Sequence, residues 1–585
     1  MLYSARIARP LVRTLSSMLL CLGVVTACTT APVPAGSAGL EWLSFRVRQD
    51  ASAPLNADAG WAAPENAAAQ LYYDQPFRLR VQVRASDVTP EGHQLGLQYR
   101  RQQGPWIPVG MAEFPYPQFA TPMVSVISTM AYQHGDDTER LLGPADLDWD
   151  DGAGLSAVAT TPVWRTTDDA LEWEWPLVIR RFADGAGSDG SPGFAEDGEQ
   201  FALRVVDAYG QALPGSAPVL LTLTAADGHL GGTFIETPAR LGPYQNTQGH
   251  LIFFMEPAET HNRFMAVRST DYGRSWAETD GAGRPMTGDL EGVASVQVGS
   301  TVHVIHQISE AVYHHAFEMG QEPGESGRWL ITDELITTMA EPPTQIVDVV
   351  ARRDGSLVTV YGGATRLFVQ VRSADGQWQA PREIDSDTGP VLSGPVMAIA
   401  GDDRITLAYT GRDGRGFIRH LLPDGSLTQR QVLATTLGTT DADNGGIAPL
   451  VMLENGSTVV IYREQSGLLF ERRFSRDGEL SAPVQVTDRA VVTNAVDSEQ
   501  VGADLVWHAG ALHLLYIDDQ TRDVFYMQSS VPGVWSQPRP VLENVDAGWV
   551  RGSVHRDAAG RWVYGVVVDT GSQGGSGFNR YIVVD

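Results

Sequence analysis

From Gly231 to the C-terminus the chain repeats itself, and this limits the fold more than any other feature. One marker is a strand that follows a Gly-containing turn and ends on an apolar or aromatic residue. It recurs at Met255, His306, Tyr361, Tyr409, Tyr462, Tyr516 and Val566, at intervals of 48 to 55 residues. A second marker, a turn closed by a large apolar residue, recurs at Trp276, Trp329, Trp378, Leu427, Leu480 and Trp535, at intervals of 49 to 55. Two independent markers with one period of about fifty residues describe a unit of four strands and their loops, one blade of a β-propeller. The strand marker counts seven blades and the turn marker six. The seven-blade reading takes its last blade from Val550–His555, Arg561–Val568 and Tyr581–Val584, with an outermost strand from Gly232–Glu236. Such closure joins the two ends of the propeller and removes the free edges of the ring.

Upstream of the repeat, Glu41 to about 230 reads as strands of uneven spacing: Phe77–Arg84, Leu95–Arg100, Leu171–Arg181, Phe201–Asp207 and Val219–Thr224. Phe77–Arg84 alternates strictly, the pattern of a sheet with one wet face. Helical periodicity is nearly absent. The 61 glycines and 34 prolines fit tight turns, because aromatic and β-branched residues remain plentiful. The expectation is an all-β chain, with an immunoglobulin-like β-sandwich over 41–230 and a propeller over 231–585. A sandwich of this kind serves as a structural or glycan-binding accessory.

The first 27 residues read as an export signal, with Arg6, Arg9 and Arg13 followed by an apolar run from Met18 to Val25. The run ends Val25-Thr26-Ala27-Cys28, which resembles the bacterial lipobox. Cys28 is therefore expected to carry lipid, with residues 28–40 as a flexible tether. Thr29 stands where a retention signal would have Asp, which implies the outer membrane. Both cysteines, Cys21 and Cys28, lie in this segment, so no disulfide framework or Cys-based zinc site is expected. The sequence has no lysine, which excludes Schiff-base chemistry and a phosphate-loop cation. A net charge of −28 argues against nucleic acid as a partner, and against any membrane contact other than the lipid anchor.

Ser269-Thr270-Asp271-Tyr272-Gly273-Arg274-Ser275-Trp276 closely resembles the Asp-box of the bacterial sialidase-type propellers. Shorter or worn copies end at Trp378, Leu427 and Leu480. In that family the box lies opposite the active site, so its residues imply architecture rather than chemistry. The resemblance further implies a carboxylate-binding arginine ahead of the first blade, and Arg240 matches it by position. Arg463 and Arg551 are candidates to complete the clamp, since guanidinium pairs bidentately with carboxylate. The general acid falls in the loop holding Glu256, Glu259 and His261, where the family has Asp. Tyr462 and Glu464 match a Tyr/Glu nucleophile pair in residue type. The repeated tyrosines also read as packing between blades.

A second chemistry, uronate lysis, would draw on His306, Tyr313, His314 and His315. However, His314 and His315 are neighbours on an expected strand and face opposite sides. Asp146–Gly152 has alternating carboxylates but lacks the Glu that completes a calcium loop, and Asp441–Asn444 is weaker. No cofactor is expected, and at most a structural calcium. The sequence thus points to a lipid-anchored envelope protein that acts on or binds an acidic carbohydrate. A non-catalytic propeller that binds a glycan or an envelope protein is the alternative.

Overall fold

The computed structural model describes residues 39–49, 53–86, 92–111, 123–143, 146–165, 169–181, 195–231, 241–255, 264–280, 283–285, 292–308, 311–320, 325–338, 343–363, 365–388, 395–435, 437, 446–494, 500–531, 533–570 and 578–584. Every regular element among them is a strand.

The N-terminal region is a two-layer β-sandwich. One sheet centres on Leu40–Arg48, Phe77–Ala85 and Ala170–Ile179, and the other on Glu199–Asp207 with Leu95–Arg101 and Val219–Thr224. Alternate residues from both sheets meet in one apolar core that includes Leu79, Val81, Trp173, Trp175, Phe201 and Leu203. The opposite face of the first sheet is not wet, contrary to the expectation from alternation. Arg78, Arg80 and Gln82 are buried there. Arg80 bonds both Glu172 and Glu174, and Arg78 pairs with Glu174 at 2.9 Å. Loop carbonyls from Leu55 and Leu142 supply further acceptors. Ion pairing and loop cover replace water on this face.

Among the described residues, seven sheets of four or five strands follow in the repeat region, with a two-stranded ribbon of Thr493–Asn494 and Gln500–Val501 beside them. Blades 1 to 6 start at Tyr244, Val293, Pro343, Val396, Gly446 and Ala503, and blade 7 at Trp549. In blades 1 to 4 and 6 consecutive strands pair antiparallel; in blade 5, Gly446–Ile447 and Val451–Met452 both pair with Thr458–Arg463. The last blade takes Trp549–Arg556, Trp562–Thr570 and Phe578–Val584 from the C-terminus, and its outermost strand, His229–Gly231, from the other end. That strand lies ahead of the expected Gly232–Glu236, which falls outside the described residues, and two residues before the expected boundary at 231. The ring is bonded where its ends meet: Gln245 Nε2 donates to Arg556 O at 2.8 Å, and Arg556 N donates to Gln245 Oε1 at 3.0 Å.

The propeller core is divided among the seams. Separate apolar clusters lie between blades 2 and 3, 3 and 4, 4 and 5, 5 and 6, and 6 and 7, and a larger one joins blades 7, 1 and 2. Each sheet buries both faces, so the second strands read as nearly continuous apolar runs such as Leu251–Met255 and Ile405–Thr410. The Ser269–Trp276 turn closes on itself. Asp271 accepts from Ser275 N at 2.9 Å and from Ser269 Oγ at 2.8 Å, while Trp276 is buried.

Candidate functional site on the loop face

In an up-and-down sheet, the loop from second to third strand and the connection to the next blade emerge on the same side. The Ser269–Trp276 turn and its counterparts lie on the other side. Functional candidates are therefore sought on the first side, the loop face. Arg240, Glu256, Glu259, His261 and Cys28 lie outside the described residues, as do residues 441–444.

The other two clamp arginines are buried and face main-chain oxygens. Arg463 Nε donates to Val491 O at 2.6 Å. Arg551 Nη1 donates to Val550 O at 2.7 Å and Ala503 O at 3.1 Å, with its guanidinium 5.2 Å from the Trp549 ring centroid. Val491 and Ala503 bracket the segment that enters blade 6, so the two arginines hold it from blades 5 and 7. Arg463 is not the exposed partner of Glu464 that adjacency suggests.

Tyr462 is buried with its ring stacked on Phe470 at 5.9 Å. Burial first, and then the charge of Glu464, push its hydroxyl up to about 12. Glu464 is half-buried, and its burial raises its carboxyl above the ordinary range. The Tyr462–Phe470 pairing recurs across the same two strands as Tyr361–Phe368, Tyr409–Phe417 and Tyr516–Phe525. Each ring pair belongs to the cluster shared with the preceding blade, so these tyrosines line seams.

Sequence reasoning missed what covers those rings. Arg366 lies 5.3 Å from Phe368, Arg415 lies 5.3 Å from Phe417, and Arg489 lies 5.7 Å from Phe525. Arg366 and Arg415 each stand two residues before their Phe, a spacing that a search for repeated arginines would have found. Each guanidinium has a carboxylate beside it: Glu383 at 3.7 Å, Asp413 at 2.5 Å and Asp518 at 3.7 Å. The three arginine side chains are 36%, 43% and 56% exposed. Glu383 and Asp413 are exposed too, and ion pairs of that kind are weak and exchange readily for other hydrogen-bonding partners, whereas Asp518 is buried.

His314 and His315 point to opposite sides, as alternation requires. His314 Nδ1 meets Glu334 at 2.6 Å and its Nε2 meets His303 at 3.0 Å, whereas His315 packs by His306, Phe264 and Trp329. Burial lowers His303 to about 4 and His314 to about 2, so both are neutral. Among the described residues, no group of three or more His, Cys, Asp or Glu is placed to hold a metal ion.

No protein-family model and no curated protein matches the chain. Solved structures do. Aleuria aurantia lectin, in complex with a fucosylated sugar, aligns with 54% of this chain and 96% of its own at 13% identity and TM-score 0.34. AofleA from Arthrobotrys oligospora aligns with 54% of this chain and 87% of its own, at 12% identity and TM-score 0.36. An ulvan lyase of polysaccharide lyase family PL25 aligns with 61% of this chain and 94% of its own, at 11% identity and TM-score 0.40. Likeness at this level carries no conclusion about ligand or reaction.

Proposed function

We propose that this chain is a carbohydrate-binding propeller, held at the bacterial envelope by lipid on Cys28 and presenting its loop face to a glycan. One observation carries the reading. At the seam of blades 2 and 3 the exposed Arg366–Glu383 pair stands beside the half-buried Phe368 ring, and together they offer a donor, an acceptor and an apolar ring. Those are the contacts that sugar hydroxyls and C–H faces require. The test is calorimetric titration of the chain, lacking residues 1–27, with neutral glycosides, sialyllactose and oligouronates. Binding of none of them would sink the proposal. An acidic preference would show as affinity that falls with added salt. In cells, Cys28→Ser should move the protein from the membrane fraction to the soluble fraction.

A second reading is turnover of an acidic sugar, and it draws support from Glu464. Its carboxyl is raised by burial, as a general acid requires, and it influences the Tyr462 hydroxyl. Release of sialic acid, or of unsaturated uronates, that disappears in Glu464→Gln and Tyr462→Phe would establish this reading. No turnover on either substrate class would leave binding alone.

A further inference from the structure

The seams are not alike, and their differences point to how many sugars the protein holds. Phe368 at the seam of blades 2 and 3, and Phe525 at the seam of blades 5 and 6, are both half-buried, each with one exposed arginine against it. Between blades 3 and 4 the equivalent Phe417 is buried. There a second arginine, Arg430, lies 4.2 Å from the ring. Arg430 is fixed by Asp385 at 3.1 Å and Asp387 at 3.1 Å, both from blade 3. This seam is capped. Between blades 4 and 5, Leu468 stands at the arginine position two residues before Phe470.

Resting on the carbohydrate-binding reading, we propose that the seams of blades 2/3 and 5/6 are two separate subsites for neutral, hydroxyl-bearing sugar rings. The chain would then bind a multivalent glycan rather than a single sugar at the central mouth. The charge at each subsite decides the ligand class. Arg366 is beside Glu383 and Arg489 beside Asp518, so neither pair presents a net cation to an anionic sugar. At blades 2/3 the exposed Glu383 accepts from one hydroxyl while Arg366 donates to its neighbour. At blades 5/6 Asp518 is buried and accepts from Gln520 N and Thr521 N, so Arg489 supplies the donor alone, and at both seams the phenylalanine ring covers the apolar face. Two weak sites on one rigid ring reinforce each other on a dense glycan surface through effective concentration.

Titration with methyl glycosides of neutral hexoses and deoxyhexoses tests this directly. Two equivalents should bind per chain. Arg366→Ala and Arg489→Ala should each leave one equivalent, and the double variant none. Arg430→Ala, at the capped seam, should not lower the count. On a glycan-coated surface each single variant should lose avidity by roughly 10²-fold. Both arginines are solvent-facing, and unchanged melting temperatures would show that the variants fold. One equivalent per chain, or two that neither variant alters, overturns the two-subsite inference while leaving carbohydrate binding in place. Preference for sialyllactose over every neutral glycoside overturns the ligand class. Failure to bind any sugar sinks both proposals.

Discussion

Arg181, at the end of a sandwich strand, donates from Nη2 to the main-chain oxygen of Trp276 in the first blade at 2.6 Å. Its Nη1 donates to His229 O at 2.9 Å, on the strand that closes the ring. His229 in turn meets Asp74 of the sandwich at 2.7 Å, and Gly228 N donates to Arg274 O. The full-length Ser269–Trp276 turn is therefore also where the two regions join.

Arg181→Met should uncouple the regions. It leaves the two carbonyls short of a buried donor, each worth on the order of 1–3 kcal/mol. Calorimetry should show one unfolding transition in the parent and two in the variant. A single transition at an unchanged temperature would show that the contact does not couple them.

Arg463 and Arg551 should behave as staples for the segment entering blade 6. Arg551→Ala strips the Val550 and Ala503 carbonyls of their donor in a buried site, and should cost about 3 kcal/mol. Arg551→Lys should recover little, because one ammonium cannot reproduce the planar fork. Urea denaturation measures both variants. Sugar affinity of the folded fraction should not change. A selective loss of affinity for acidic sugars at unchanged stability would restore the carboxylate clamp.

Gly273 and Gly355 give a matched pair of backbone tests. Both have positive φ, 93° and 84°. A Cβ at Gly273 would lie 2.1 Å from Tyr581 Cε1 in blade 7, whereas a Cβ at Gly355 meets nothing within 4 Å. Gly355→Ala should cost about 1 kcal/mol from conformation alone. Gly273→Ala adds a clash at the ring-closing seam and should cost clearly more. Equal melting temperatures would refute the claim that Tyr581 packs against this turn.

These contrasts separate what was legible in the sequence from what was not. The period was legible because each blade must end its second strand with an apolar residue at one seam, so Tyr361, Tyr409, Tyr462 and Tyr516 register as a repeat. The role of an arginine was not, since sequence cannot tell a guanidinium aimed at solvent from one facing a carbonyl. Arg463 and Arg489 are both loop-face arginines, yet one is buried on Val491 O and the other lies over Phe525. The covered face of Phe77–Arg84 escaped for a similar reason. Its alternation is the same whether water or Glu172 and Glu174 satisfy the arginines, and those acids lie some ninety residues away in sequence.

Acid and alkali should act on different seams. His303 and His314, between blades 2 and 3, face each other and Glu334, Arg372 and Trp378. Burial holds them near 4 and 2, although the Glu334 contact pulls the other way, while an unfolded histidine titrates near 6.5. Their folded values are depressed, so their contribution is fully present above about pH 6.5 and is lost as pH falls below it, by at most about 1.4 kcal/mol per pH unit per histidine. Asp569, buried in blade 7 near Asp546, has the opposite sign. Burial raises its carboxyl well above the ordinary range, so it stays protonated in the fold while the unfolded chain ionises near pH 4. Its contribution is greatest at or below that pH and declines as pH rises. Melting temperature should therefore fall on both sides of an intermediate optimum. His314→Gln should flatten the acid limb and Asp569→Asn the alkaline one. If either variant leaves its limb unchanged, that group is not the one whose proton is linked to folding.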